Sequence, residues 1–148
     1  MKLDAVLADS MKLAERYDQS FALVLLDIDH FKAVNDQHGH LVGDDVLVEI
    51  ARILRTAIRD VDMVGRWGGE EFLLILPHTG PEQARAVAEK LRRAIAETPL
   101  PVVGHKTGSF GVTAHCPGDT LKHILARADR ALYDAKETGR DRVVLQTA

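Results

Sequence analysis

"GRWGGEEFLLILP", Gly65 to Pro77, sets two glycines and two glutamates directly in front of five large apolar residues, Phe72 to Leu76. The apolar run reads as a buried strand. The Gly-Gly pair reads as the turn of a hairpin whose strands run over about 62–66 and 71–76. The adjacent carboxylates are the anomaly. A hairpin that serves structure alone puts Asn or Gly in its turn and keeps charge away from the core. What meets Glu70 and Glu71 therefore bears on both the fold and the function.

Upstream, "FALVLLDI", Phe21 to Ile28, is a continuous apolar run that ends in acid. It predicts a central strand covered on both faces. Before it, Leu3, Val6, Leu7, Met11, Ala14 and Tyr17 share one helical face. A short helix is expected over 31–36. "HGHLVGDD", residues 38–45, reads as a turn from which Asp44 or Asp45 leads into a helix with Val46, Ile50, Ile53, Leu54 and Ala57 inside. Downstream of the hairpin, Pro81 marks the first turn of a helix that buries Ala84, Val87, Ala88, Leu91 and Ile95. Thr107 to Ala114 reads as a strand in which Gly108 is less apolar than its place calls for. Thr120 caps a helix with Leu125, Ala128, Leu132 and Ala135 inside, Gly139 sits just past its end, and "RVVLQ" closes as a strand. This order predicts an α+β sandwich with a central mixed, mainly antiparallel sheet flanked by helices.

With 148 residues, 46% hydrophobic and 28% charged, the chain suits one globular domain, 1–148. The net charge of −3 argues against a protein that binds DNA or RNA backbones. It leaves room for a nucleotide whose charge a metal ion offsets. One cysteine, Cys116, allows no internal disulfide and predicts a reducing, cytoplasmic setting. No membrane segment is present in the sequence pattern.

The acids form two groups. Asp27 ends the buried strand, and Asp29 follows two residues later, on the same side if the strand persists. If the hairpin pairs with strand 21–28, Glu70 and Glu71 join them, and neither motif holds enough Lys or Arg to neutralise all four. Such a cluster is stable around a metal or with raised pKa values. Oxygen-only ligands select Mg²⁺ or Ca²⁺, and Mg²⁺ on one or two carboxylates is the habit of phosphoryl transfer. Gly68 and Gly69 allow φ > 0 in the turn and close approach of a phosphate to the backbone. The other reading is a solvated acidic tip with helix-capping aspartates.

Three blocks, "DIDHFKAVNDQHGHLVGDD" (27–45), "RWGGEEF" (66–72) and "ADRALYDAKETGR" (128–140), resemble the GGDEF family of diguanylate cyclases in its GGEEF spelling. The resemblance covers roughly residues 20 to 145. It implies a nucleotide-cyclase or polymerase palm-like fold. It also implies condensation of two GTP to cyclic di-GMP and two pyrophosphates by a homodimer that holds one GTP per subunit. Two Mg²⁺ (or Mn²⁺) per GTP site would be held by Asp27, Glu70 and the carbonyl of Ile28. Glu71 would serve the second metal or removal of the 3′-hydroxyl proton. Asn35 and Asp44 would meet guanine, His40 the base or ribose, and Lys32, Lys136 and Arg140 the phosphates. Taken alone, Asp44 is a helix N-cap, His40 a loop residue, and Lys136 and Arg140 charges favoured at a helix C-terminus. A carboxylate at 44 does match the N1–H and N2–H donors of guanine.

"RDVD", Arg59 to Asp62, stands where the family keeps an inhibitory product site, with five residues between Asp62 and Gly68. Lys90 falls where a second basic contact is expected. By itself the motif is a surface Arg–Asp pair. The chain departs from the family in lacking a D-x-L-T-G-L-x-N-R stretch before its first helix. Two other readings stay open: a catalytically weak or inactive cyclic di-GMP receptor, and a GTP-binding regulatory module.

Overall fold

A computed structural model describes residues 2–148. Five helices, α1 (Lys2–Tyr17), α2 (Phe31–His38), α3 (His40–Ala57), α4 (Pro81–Glu97) and α5 (Leu121–Glu137), surround one sheet. Its strands are β1 (Phe21–Ile28), β2 (Met63–Gly68), β3 (Glu71–Pro77), β4 (Gly108–Ala114) and β5 (Arg142–Leu145), in the order β2-β3-β1-β4-β5. All pairs are antiparallel except β4–β5. The sheet is thus mixed and mainly antiparallel, as the apolar pattern predicts.

β1 is the centre because every one of its eight residues is buried. Successive side chains of a strand point to opposite faces. Ala22, Val24, Leu26 and Ile28 join the core made with α2, α3 and α4. Phe21, Leu23 and Leu25 join a second core beneath α1 and α5. The result is helices, sheet, helices, with apolar side chains filling both interfaces. The register sets Asp27 opposite Glu71 of β3 on one side and opposite Ser109 of β4 on the other. Both acidic groups therefore reach the same end of the sheet.

Several local expectations change. α3 begins at His40, directly after Gly39, whose φ of 86° makes the whole turn. The Gly43 N–H already donates to the Gly39 carbonyl, so Asp44 lies inside the helix and does not cap it. α2 runs two residues past the expected 36 for the same reason. Tyr17 is 60% exposed, not on the buried face, because the chain turns away at Asp18, φ 54°. In α5 the buried residue is Ile124, with Leu125 only partly covered. Neither Gly68 nor Gly69 adopts a positive φ, and β2 extends through Gly68, with a register shift after Arg66.

Other signals stand as expected. The Thr120 hydroxyl accepts from the His123 N–H at 3.1 Å, and Pro81 opens α4. Gly139 follows α5 at φ 131°. Gly108 is explained by space: a Cβ there would meet the Phe110 ring at 3.0 Å. Among the described residues no helix is long and apolar enough to cross a membrane.

Candidate active site

The carboxyl end of β1, the hairpin tip and the C-terminus of α5 enclose a cleft of about 430 Å³. Asp27, Ile28, Lys32, Glu70, Lys136 and Arg140 line it, six of the residues singled out from sequence. His30, Phe31, Ala33 and Asp36 also line it and were not anticipated. Phe31 is a core residue that the apolar pattern alone would assign to packing. His30 stands at φ 59°, a conformation that side chains other than Gly rarely adopt, and it turns the chain from β1 into α2.

Asp27 is 6% exposed and lines the polar cleft. Burial pushes its carboxyl above the ordinary 3.8, against the opposing pull of Lys136. Lys136 Nζ donates to Oδ2 at 2.5 Å, while Oδ1 is buried with no hydrogen-bond partner. The expected shortage of bases at the acids is thus corrected: the cation comes from α5, far along the chain. Glu71 is half-buried, and its carboxyl is pushed above 4.5 by desolvation first, then by Asp27, with Asp129 of α5 close enough to add to it. Glu70 occupies the hairpin loop itself, and Arg66 donates to the Gly69 carbonyl and lies 5.9 Å over the Phe72 ring. That clamp on the tip was missed in the sequence, where Arg66 carries no distinguishing pattern.

Asp29 is 3% exposed. It accepts from the hydroxyls of Thr107 and Ser109, each at 2.6 Å, and from the Asp141 N–H at 3.0 Å. It ties the end of β1 to β4 and to the loop after α5. In that loop Gly139, Arg140 and Asp141 all have positive φ, at 131°, 63° and 45°. Two non-glycine residues there store strain, which the Arg140 N–H to Ala135 carbonyl bond and the Asp29 contact offset. This holds Arg140 at the cleft wall.

Asn35, His40 and Asp44 do not line the cleft; they sit on α2 and the first turns of α3. His40 and Asp44 are exposed and share a helix face at i and i+4. Gly68 and Gly69 are exposed, and a Cβ at either would meet nothing within 4 Å.

Arg59 and Asp62 lie elsewhere, on a surface hollow of about 260 Å³ shared with Arg55 and Met63. They are paired to each other: Arg59 Nε and Nη2 donate to the Asp62 carboxylate at 3.2 and 2.8 Å, and Nη2 also to the Pro77 carbonyl and Thr79 hydroxyl. The Asp62 side chain is 3% exposed and that of Arg59 55%, so the pair is half-sunk. Lys90 is not in this hollow; it donates to the Ala57 carbonyl at 3.2 Å.

A divalent cation can be tested against these residues. Among the described residues no three acidic, His or Cys side chains gather closely enough to cage one. The cleft lining offers instead the carboxylates of Asp27, Glu70 and Asp36 and the Ile28 backbone, and of these Asp27 and Glu70 are the pair singled out from the sequence. That fits Mg²⁺, which takes one or two carboxylates and fills its other positions with water and phosphate. The partnerless Asp27 Oδ1 is a donor atom already desolvated for such a role.

The model for the diguanylate cyclase GGDEF domain matches residues 1–142. The chain is 46% identical over 132 residues to diguanylate cyclase VdcA of Vibrio cholerae, which covers 85% of this chain and 39% of that protein. It superimposes on the active GGEEF domain of a diguanylate cyclase from Vibrio cholerae with a TM-score of 0.92 and 38% identity, covering 97% and 94% of the two chains. The GGDEF domain of DgcB from Caulobacter crescentus, solved in complex with c-di-GMP, gives 0.91 and 32%, covering 97% and 87%. The chain spans between 22% and 39% of the length of three full-length relatives, VdcA among them.

Proposed function

The chain belongs to the GGDEF domain family of diguanylate cyclases, and from that premise we propose that it condenses two GTP to cyclic di-GMP with release of two pyrophosphates. The observation that carries the proposal is Asp27: a buried carboxylate with one oxygen unpartnered, on a polar cleft, opposite Glu71. Asp27, Glu70 and the Ile28 carbonyl hold divalent cations, Mg²⁺ or Mn²⁺, two per GTP. When bound, these neutralise the triphosphate and lower the cost of ionising the 3′-hydroxyl.

The remaining work falls to the chain's own side chains. Glu71, with its raised proton affinity, accepts the 3′-hydroxyl proton or completes the second cation's shell. Lys32, Lys136 and Arg140 bind phosphate, Lys136 exchanging Asp27 for it. Gly68 and Gly69 fit close phosphate contact: neither φ nor internal packing calls for glycine there. Asn35 and Asp44 meet the guanine, and His40 the base or ribose. Each cleft takes one GTP, so two chains must face each other. The Arg59–Asp62 hollow binds cyclic di-GMP and slows turnover as product accumulates, with Lys90 contributing only if it leaves Ala57. A half-exposed, unpaired Cys116 suits the cytoplasm.

The test is incubation with GTP and Mg²⁺ followed by chromatographic separation of the nucleotides. Cyclic di-GMP and pyrophosphate are expected from wild type, and none from a folded Glu70→Gln variant. The second reading, a cyclic di-GMP or GTP binding module without turnover, is favoured by one observation: Lys136 already satisfies half of Asp27. Tight nucleotide binding without product would establish it.

A further inference from the structure

Gly43 is buried in the first turns of α3, on an ordinary helical backbone. Its φ is not in the left-handed region, so nothing about the backbone calls for glycine. Glycine inside a helix costs about 1 kcal/mol relative to Ala. The reason is a side chain. A Cβ on Gly43 would fall 1.9 Å from Asn35 Oδ1, 3.1 Å from Asn35 Cγ and 3.2 Å from the Phe31 ring. No pair of atoms tolerates the first distance. The carboxamide of Asn35 therefore lies in a notch in α3 that exists only because residue 43 has no side chain.

The notch is built from both ends. α2 and α3 fold back on each other over Gly39, whose N–H is bonded to the Asn35 carbonyl at 2.8 Å. Phe31, one turn before Asn35, is 5% exposed and closes the notch on one side. The next residue on α3 is Asp44, and His40 stands one turn before it, both exposed. Asn35 as a whole is only half-buried.

We propose that Gly43 is a positioning residue for base recognition: by leaving the notch open, it seats the Asn35 amide against the helical turn that presents Asp44, so that the two read the guanine edge together. This rests on the reading that Asn35 contacts the base. Any larger residue at 43 turns the amide out of the notch, while the metal and phosphate groups across the cleft stay in place. The loss is then one of uniform binding, which raises KM and leaves kcat nearly unchanged.

The experiment compares Gly43→Ala, Asn35→Ala and the double variant. It measures equilibrium binding of a non-hydrolysable GTP analogue and of the matching ATP analogue, and KM and kcat for GTP. The expected result for Gly43→Ala is GTP-analogue binding about five- to tenfold weaker, the loss of one neutral hydrogen bond. The ATP analogue should be little affected, KM should rise by the same factor, and kcat should stay within about threefold. In the Asn35→Ala background the Gly43 substitution should have no further effect. If Asn35→Ala weakens the GTP analogue but Gly43→Ala does not, the inference fails and the base-contact reading survives. If Asn35→Ala itself changes nothing, that reading fails and takes the inference with it. An equal loss from Gly43→Ala in both backgrounds makes Gly43 a general packing residue and overturns the proposal. Should Gly43→Ala not fold, the double variant decides: removing the Asn35 amide must restore the melting transition if the notch contact is the cause, and failure to restore it refutes the assignment.

Discussion

Replacing Glu71 with Gln should raise the melting temperature at neutral pH while abolishing turnover. Its carboxyl titrates above the ordinary 4.5 because burial and Asp27 both disfavour the anion. A group whose folded pKa is raised stabilises the fold below its unfolded value and loses that contribution as pH rises through the folded value. Wild type therefore falls behind Glu71→Gln as pH climbs from 4.5, and the gap closes below it. Circular dichroism melts in chelator across about pH 4 to 8 read this directly, and equal melting temperatures at the upper end would remove it. Asp29→Ala goes the other way. It strips the acceptor from the buried Ser109 hydroxyl, the half-buried Thr107 hydroxyl and a backbone N–H, a loss of about 3 kcal/mol in urea unfolding. Asp29→Asn, which still offers one oxygen, should lose less. The sequence exposed Asp27 and Glu70 because carboxylates at the end of an apolar strand stand out. It left the duty of Asp29 open, since the partner that decides it, Asp141, lies 112 residues on. A separation of 109 residues likewise hid the pairing of Asp27 with Lys136.

At the scale of elements, the seat of α5 on β4 leaves no room for a single added atom. A Cβ on Gly111 of β4 would lie 2.3 Å from the Leu132 nitrogen and 2.6 Å from the Ala128 carbonyl. These are backbone atoms that cannot swing aside, so Gly111→Ala must lift the helix off the sheet. The expected cost is about 3 kcal/mol in urea unfolding, at the upper end for an overpacked core. Because α5 also carries Lys136, the lifted helix should lose GTP affinity as well; a variant of wild-type stability would show that α5 can shift freely. Helices α1, α4 and α5 were legible because an apolar stripe runs through most of each. α3 was legible only from Val46 on, since its first turns, apart from Gly43, offer no fully buried residue to reveal the period. That is why residues 38–45 read as a turn. β2 was traced short for a similar reason: it is an edge strand, half-buried along most of its length, and alternation fades where one face is wet.

On the proposed function, each chain presents one GTP cleft among the described residues, and joining two GTP needs two. Specific activity should therefore rise with protein concentration, and fusion of a parallel coiled coil ahead of α1 should remove that dependence by raising the effective concentration of the partner. A rate per chain that is already independent of concentration would contradict this. Concentration has an opposite consequence through β1. This strand, six uncharged residues from Phe21 to Leu26, pairs with β3 and β4, and β4 lies beyond α4 in the chain. Such non-local pairing closes late in folding. Until then β1 is an unpaired apolar segment of the kind that aggregates. Refolding from urea should give a yield that falls as the chain is made more concentrated, measured as native signal recovered at matched final denaturant. If turnover needs two chains as proposed, crowding helps the finished molecule to find its twin and harms the unfinished one for the same reason, because both encounters are between two copies of the chain.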